Sequence, residues 1–209
     1  MRTDERSARP AGQRTFIETA RRDQILQGAI ATVNEIGYHR ASLAEIARRT
    51  GVAKSAIVYY FGSKDALLLH VFEHVYIALD AAVEAAVAAE TTPTGRLRAY
   101  AQSYLAHIDG HRHEMAAGLD IVVSHRGADG VPLYLTGTDD DTALLRSILA
   151  TGMDAGEFRR MPLPAAVLLV EGLLDVVITP VQRDVDAELA PLSEEILTFL
   201  FRGLGVAPG

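Results

Sequence analysis

A short stretch near the N-terminus combines residue types that suit a surface approaching DNA. Residues 42–61 read SLAEIARRTGVAKSAIVYYF, two short segments of helical pattern on either side of Gly51. Two short helices joined by a turn that contains glycine form a helix-turn-helix, whose second helix enters the major groove. The start of that helix needs short side chains so that its backbone can come close to the bases, and Ser55 and Ala56 are short. The stretch therefore predicts a DNA-binding motif.

Hydroxyl and ammonium groups flank the second helix and are candidates for contacts with DNA phosphates. Such contacts position a protein on DNA without reading its sequence. The candidate donors are Ser42, Lys54, Tyr59, Tyr60 and Lys64. The two lysines in this set are the only lysines of the chain. Packing inside the motif is the alternative for the aromatic residues; we prefer packing for Phe61 and phosphate contact for at least one tyrosine.

A second set of residues, in the C-terminal part, suits a small-molecule site. Tyr100, Tyr104 and His107 recur at spacings of four and three, which places them on one face of a helix. Amphipathic aromatic residues line pockets, although they more often belong to the core. Together with neighbouring apolar positions they predict a site for a largely apolar molecule with a few polar handles. The other positions assigned to this lining are Phe72, Tyr76, Met115 and Leu119.

Two acidic residues interrupt an otherwise apolar segment. Glu171 and Asp175 are four residues apart in AAVLLVEGLLDVVI. Burying two like charges is costly unless they have partners. They either face the ligand site or pair with arginine at a dimer interface, and the sequence leaves both open.

Several histidines have spacings that occur in metal sites. His70 and His74 are four residues apart, and His107, His111 and His113 form a second group. The chain has no Cys and no carboxylate motif beside these histidines, so we expect solvated or hydrogen-bonded histidines, with no metal and no cofactor. The sequence contains no nucleophile elbow, phosphate loop or zinc-protease motif, and we therefore expect that the protein is not an enzyme.

Apolar residues at helical spacing fill the chain, so the expected fold is all-α. A first helix covers about residues 19–35, and Ser42 with Glu45 predicts a capping box at the start of a second. A third covers about residues 54–60, and Ser63 begins a long fourth helix. Glycine and proline separate the later helices, which are expected at 96–109, 113–125, 141–155, 163–182 and 192–203.

The last two predicted helices are rich in Leu, Val and Ile with few polar residues. This composition predicts that they pack against the same helices of a second copy, in a four-helix interface. The residues expected in that interface are Leu168, Leu169, Leu173, Leu197, Leu200 and Phe201.

The charges divide the chain, whose net charge is −7. Residues 1–65 carry 11 Lys and Arg against 7 Asp and Glu, a net charge of +4, whereas residues 66–209 carry 9 against 20, a net charge of −11. A basic part can approach phosphates, and an acidic part keeps the molecule away from other polyanions. We expect a flexible basic arm at 1–17, a helix-turn-helix DNA-binding domain at 18–65 and a ligand-binding and dimerisation domain at 66–209.

Nothing in the sequence predicts a membrane partner. The first fifteen residues are polar, unlike a signal peptide. The longest apolar stretch, residues 165–178, contains two acidic residues and is short, which predicts a buried helix rather than a membrane span. The absence of cysteine suits the reducing cytoplasm, where we expect the protein to act.

Residues 42–69 resemble the signature of the TetR family of bacterial regulators. The matching positions are Ser42, Ile46–Ala47, Gly51–Val52, Lys54–Ser55, Tyr59–Tyr60–Phe61 and Ser63–Lys64 with Leu67. The resemblance implies that DNA is met by Ser42, Lys54, Ser55, Tyr59, Tyr60 and Lys64. Val58 departs from the pattern, because many members have tyrosine there, and this favours Tyr60 over Tyr59 as a contact.

The resemblance also implies an organisation and a function. Three helices form a DNA-binding head, a fourth links it to a body that binds a small-molecule effector, and the last two long helices form a homodimer. The implied protein is a repressor that leaves a near-palindromic operator in double-stranded DNA when the effector binds. Two alternatives stay open: a regulator without a ligand that acts through a protein partner, and an all-α enzyme that uses its head for another purpose.

Overall fold

The computed structural model of the chain describes residues 11–138 and 140–206. Over these residues it contains α-helices and no strand, and an isolated bridge pairs Arg126 with Pro132. The predicted all-α fold is confirmed. The helices are α1 (Ala11–Ile36), α2 (Leu43–Thr50), α3 (Lys54–Phe61), α4 (Lys64–Ala88), α5 (Pro93–Gly110), α6 (Arg112–Ser124), α7 (Ala143–Asp154), α8 (Leu163–Asp175), α9 (Ile178–Arg183) and α10 (Ala190–Gly203), with a short 3-10 turn at Leu133–Leu135.

Helix α1 begins earlier than the sequence analysis predicted. It starts at Ala11, so the part of the predicted flexible arm at residues 11–17 is helical, and the rest of that arm, residues 1–10, lies outside the described residues. The stretch has no apolar periodicity, which is why it was assigned to an arm. Its Ala, Gln and Arg residues nevertheless have high intrinsic helix propensity, which suits an extension of the helix that follows.

The predicted helix at 163–182 is two helices. Helix α8 ends at Asp175 and α9 begins at Ile178. Pro180 has no N–H to donate, and its ring conflicts with the carbonyl group four residues earlier, at Val176, so a continuous helix is disfavoured. The prediction of a buried helix is wrong for one face of α8, because Leu168 and Leu169 are 71% and 61% exposed.

The chain divides into two compact units between Val71 and Phe72, six residues beyond the boundary expected from the sequence. The first unit contains α1 to α3 and the start of α4. Its core is made of aliphatic side chains and one phenylalanine from all four helices, namely Ile25, Ala29, Ile30, Val33, Ile46, Ile57, Phe61, Leu67 and Leu68.

A close approach between α1 and α2 fixes how these two helices pack in the first unit. A Cβ atom on Gly28 would lie 1.9 Å from Cγ2 of Thr50, so a larger residue in α1 would push α2 away. The Thr50 hydroxyl donates to the Ile46 carbonyl at 2.8 Å, which fixes the side chain that fills this space. Position 28 therefore sets how closely the first helix of the motif lies on α1.

The second unit is a helical body. Helices α5, α7, α8 and α10 pack together, and their buried side chains include Leu97, Leu105, Ile108, Leu145, Ile148, Leu149, Val170, Leu174 and Leu200. Helix α6 approaches α4 at Gly118, where a Cβ atom would lie 3.3 Å from Val75 and 3.4 Å from Tyr76.

Two segments are long and apolar enough to cross a membrane by length and composition alone, Lys64–Ala88 and Leu163–Arg183. Within each segment, the 18 consecutive residues with the highest mean hydropathy are 33% and 39% buried in the structure, respectively. Core helices of globular proteins pass the same test, so this finding is weak evidence for a membrane, and the expectation of no membrane partner stays a prediction.

Candidate nucleic-acid interface and ligand cavity

Two capping residues define the two ends of α2. The Ser42 hydroxyl accepts a hydrogen bond from the Glu45 N–H at 3.2 Å, which caps α2 as predicted. Gly51 ends α2 with a φ of 66°, in the left-handed region that favours glycine. These two residues explain why α2 is only eight residues long, and three residues separate it from α3.

The other half of the predicted capping box does not form. The Glu45 carboxylate accepts hydrogen bonds from Arg48 and Arg49, and the Ser42 N–H donates to the Arg40 carbonyl instead. The bond to Arg48, followed by that to Arg49, lowers the pKa of Glu45 to about 2. Arg49 also binds Glu35, at the end of α1, so the cation ties α2 to α1. The guanidinium groups of α2 thus serve first to hold the motif together.

Helix α3 has one buried face and one exposed face. Ile57 and Phe61 are 0% and 5% exposed, and the expectation that Phe61 packs in the core is confirmed. The Phe61 ring lies 4.8 Å below the Arg22 guanidinium and 5.5 Å from the His70 ring. The exposed side chains are those of Lys54, Ser55, Val58 and Tyr59.

Tyr59 extends further into solvent than Tyr60. Tyr59 is 79% exposed, whereas Tyr60 is partly buried and packs edge-to-face against it, with ring centroids 5.1 Å apart. The Tyr60 carbonyl accepts a hydrogen bond from Arg22 at 3.3 Å, which ties the end of α3 to α1. The sequence favoured Tyr60 as the contact with DNA, but exposure favours Tyr59.

Lys64 is engaged within its own unit. Its Nζ donates to the carbonyl groups of Tyr38 at 2.7 Å and His39 at 3.1 Å, and lies 4.7 Å from the centre of the Tyr38 ring. Partial burial lowers the pKa of Lys64. The ammonium group thus fixes the segment between α1 and α2, a role that the sequence did not predict. Lys54, in contrast, extends into solvent from the first turn of α3.

A cavity of about 290 Å³ lies in the body between α4, α5 and the start of α7. Tyr100 and Tyr104 of α5 form one wall. Four carboxylate residues line the rest of its polar surface: Asp80, Glu84, Asp140 and Asp141. Among the described lining residues there is no Lys, Arg or His to balance them. The expectation of a largely apolar site with few charges is wrong for this cavity, because the acidic residues at 140–141 come from a connection without helical periodicity.

The remaining predicted ligand residues have other positions. Tyr76 packs against Phe72, with ring centroids 4.7 Å apart. Met115 is 0% exposed in the core of the body. His107 stacks on His111 at 4.0 Å, and partial burial, with that neighbour, lowers the pKa of His107. None of these residues, nor the half-buried Leu119, lines the acidic cavity.

Glu171 and Asp175 lie beside the tyrosines of the cavity. Asp175 accepts a hydrogen bond from the Tyr104 hydroxyl at 2.5 Å. Burial, and then the charge of Glu171, raises the pKa of Tyr100. Burial and the charge of Asp175 raise the pKa of Tyr76 to about 12. Of the two alternatives left open by the sequence, this geometry favours a place beside the acidic cavity, the candidate ligand site.

Three carboxyl groups around these tyrosines have raised pKa values. Loss of hydration is the main cause of the raised pKa of Asp80, Glu171 and Asp175, although Asp80 and Asp175 keep contact with solvent. Neighbouring carboxylates add to the shift of the pKa of Asp80 and Glu171, while the bond from Tyr104 opposes it at Asp175. The cavity therefore holds negative charge at neutral pH at a cost in free energy, which a bound cation would reduce.

The histidines form no metal cluster over the described parts of the chain, residues 11–138 and 140–206. No group of three or more His, Asp and Glu residues there is arranged to hold a metal ion. His70 packs against Phe61, and His74 lies on an exposed position of α4.

An apolar groove of about 250 Å³ lies between α8 and α10. Leu169 and Phe199, which line it, are 61% and 67% exposed. Of the residues predicted to form a dimer interface, Leu200 and Phe201 are instead buried within the protomer, at 4% and 8% exposure. Phe199 was not expected at the surface, because periodicity alone does not separate the inner face of α10 from its outer face.

The N-terminal residues match a known family. A sequence model described as bacterial regulatory proteins, tetR family, matches residues 25–71, which contain the C-terminal part of α1, all of α2 and α3, and the start of α4. The regulator BetI of Pectobacterium carotovorum is 36% identical over 88 residues, 41% of this chain and 45% of that protein. BetI of Yersinia pestis is 39% identical over 88 residues, 41% of this chain and 44% of that protein. The chain thus spans less than half the length of these relatives.

Solved structures of other proteins are similar in fold to the body as well as to the N-terminal unit. The TetR-family regulator PfmR of Thermus thermophilus has a TM-score of 0.71 and 22% identity, with 88% of this chain and 99% of that chain covered. FadR of Bacillus subtilis, solved in complex with stearoyl-CoA, has a TM-score of 0.71 and 23% identity, with 86% and 97% covered. At such identities the likeness concerns the fold. Residues 25–71 therefore form an N-terminal domain of the TetR family of bacterial regulatory proteins, and the body has a fold similar to that of solved TetR-family structures.

Proposed function

We propose that the protein is a dimeric transcriptional regulator that binds a near-palindromic operator through α3 and is released by a small molecule. The observation that carries the DNA-binding part is the exposed face of α3. It presents a lysine, a serine and a tyrosine to solvent within a domain that matches the family. Short and hydrogen-bonding side chains at the start of a recognition helix are those that meet base edges and phosphates.

Selection of bound fragments from a random DNA library, followed by sequencing, tests the operator. We expect two half-sites related by a two-fold axis and spaced by about one helical turn or a simple multiple of it. Ser55→Arg should abolish binding to the selected site, because a bulky side chain blocks the groove-facing start of α3, while weak, salt-sensitive binding to random DNA remains. Selection of no common sequence would contradict this function.

The apolar groove between α8 and α10 supports the proposal of a homodimer. Leu168, Leu169 and Phe199 expose large apolar side chains on these two helices. A soluble monomer rarely leaves such side chains adjacent and uncovered, whereas a second copy related by a two-fold axis covers both patches at once. Two heads held by such a dimer would match the two half-sites of a palindrome.

The acidic cavity supports an organic cation as the effector. Its two tyrosine rings offer π faces, and its four carboxylates offer negative charge. Both features attract a cation such as a substituted ammonium group, by cation–π contact and by charge. An acyl-CoA, the ligand in the FadR structure, carries several phosphate charges and would be repelled by this lining.

Thermal unfolding with matched probes tests the charge of the effector. We expect tetraethylammonium, at millimolar concentration, to raise the unfolding temperature of the protein and to weaken operator binding, because it binds the folded state. An uncharged alcohol of similar size and stearoyl-CoA should do neither. Asp80→Asn should reduce the response to tetraethylammonium. A response to stearoyl-CoA without a response to the cation would contradict a cationic effector.

Release from DNA follows when the effector favours a state of the dimer whose heads no longer match the operator. The loss of DNA affinity then equals the difference in effector affinity between the two states. A regulator that binds its operator unchanged in the presence of every cation tested would instead support control through a protein partner. We place this function in the cytoplasm, where the operator DNA lies.

A further inference from the structure

Val58 is the only aliphatic side chain on the exposed face of α3. It is 42% exposed, while Ile57 beside it is completely buried. Valine is a weaker helix former than alanine, leucine or lysine, and at this exposure it gains little from burial within the protomer. Neither helix formation nor packing in the core accounts for valine at this position.

The position of Val58 on the helix is central to the exposed face. At about 100° per residue, Val58 lies about 40° from Lys54 and about 60° from Ser55, between the two. Lys54 and Tyr59 lie at the outer edges of the same exposed arc. When the start of α3 lies in the major groove, residues at the edges of this arc face the phosphates and residues at its centre face the bases.

We propose that Val58 determines sequence specificity by contact with the C5-methyl group of a thymine in each half-site. This inference rests on the proposed operator binding. In the major groove, thymine alone among the four bases presents a methyl group, and apolar side chains read it by van der Waals contact. Val58 has no donor or acceptor, so it cannot read any other base edge by hydrogen bonds.

Replacement of thymine by deoxyuridine tests this contact, because the two bases differ only in the methyl group. The probe is the duplex recovered by selection with the wild-type protein, with each thymine replaced in turn and symmetrically in both half-sites, at one salt concentration. At one thymine position per half-site we expect the wild-type affinity to fall about fourfold for each methyl lost, about fifteenfold for the pair. Val58→Ala should bind the unmodified duplex with a similar loss and should be insensitive to deoxyuridine at that position.

Ile77→Ala is the matched control, since Ile77 is 66% exposed but lies outside the first unit. It should keep the full wild-type sensitivity to deoxyuridine. Equal sensitivity of Val58→Ala and the wild type at every thymine, or no sensitivity in the wild type, would overturn the role of Val58 and leave operator binding intact. Failure of the wild type to select any sequence would overturn operator binding itself, and the inference with it.

Discussion

The two lysines of the chain have different surroundings in the same domain. Lys64 donates to two carbonyl groups between α1 and α2, whereas Lys54 extends into solvent at the start of α3. The sequence predicted phosphate contacts for both, because it shows no nearby group that could accept hydrogen bonds from either ammonium group. For Lys64 the acceptors are backbone carbonyl groups 25 and 26 residues away in sequence, and no local pattern reveals them.

Lys64→Met and Lys54→Met therefore form a matched pair. Lys64→Met keeps an apolar stem over Tyr38 but removes the donors, so we expect the free energy of unfolding to fall by about 1–2 kcal/mol. We expect it to leave the salt dependence of operator binding unchanged. Lys54→Met should change the free energy of unfolding by less than about 0.5 kcal/mol and lower the salt slope by about one unit per head.

Urea unfolding and gel-shift titrations at several salt concentrations measure both quantities. A fall of the salt slope in Lys64→Met, without loss of stability, would show that its ammonium group leaves the carbonyls for a phosphate.

At the scale of helices, sequence periodicity predicted most elements but not which faces stay uncovered. Helices α2 and α3 were predicted closely, because Ser42, Gly51 and Gly62 mark their ends through local capping and turn geometry. Helices α8 and α10 are apolar on more than one face, so their inner and outer sides could not be separated from sequence. Only the packing of the body identifies Leu200 as core and Phe199 as surface.

Leu169→Glu tests the outer face of α8. Leu169 is 61% exposed within one protomer, so a glutamate there should leave the fold intact. In a dimer that covers the groove, the same glutamate would be buried without a partner, which is strongly unfavourable. We expect the wild type to sediment as a dimer at micromolar concentration and Leu169→Glu as a monomer of unchanged helix content.

Ile77→Glu, on an equally exposed apolar position of α4, is the control and should remain dimeric. A dimeric Leu169→Glu would place the interface elsewhere.

At the scale of the whole molecule, the acidic charge of residues 66–209 is partly gathered around one cavity. The sequence revealed the charge imbalance between the two parts of the chain but not its concentration there. Asp80 comes from α4, whereas Asp140 and Asp141 come from the connection before α7, about sixty residues later. Tertiary packing brings these carboxylates together. Because they are far apart in sequence, the sequence alone did not indicate a cationic effector.

The raised pKa of Asp80 gives a pH-dependent prediction. Its stabilising contribution is present below the ordinary value of 3.8 and is lost as pH rises through the higher pKa of the folded state. At pH 7 the wild type therefore retains an unfavourable charge that Asp80→Asn lacks, and the variant should be more stable. Its advantage should shrink as pH falls toward 4, because the wild-type carboxyl becomes neutral too.

Urea unfolding between pH 7 and pH 4 measures this difference, with Glu188→Gln, at an exposed position outside the cavity, as the control. An Asp80→Asn variant that is less stable than the wild type at pH 7 would contradict an unfavourable environment for this charge. The same variant should bind the cationic effector more weakly. We therefore expect the substitution to raise the free energy of unfolding and to lower the response to the effector.

The uncovered apolar groove between α8 and α10 also has a consequence for gene dosage. If operator binding requires two copies joined through this groove, the active species forms in proportion to the square of the protomer concentration when dimers are scarce. Operator occupancy would then respond more than proportionally to changes in the rate of synthesis of the regulator. A cell that halves its output of this protein would lose about three quarters of the active dimer. A substitution in the groove that weakens dimer formation would therefore act in the cell like a lower copy number of the gene.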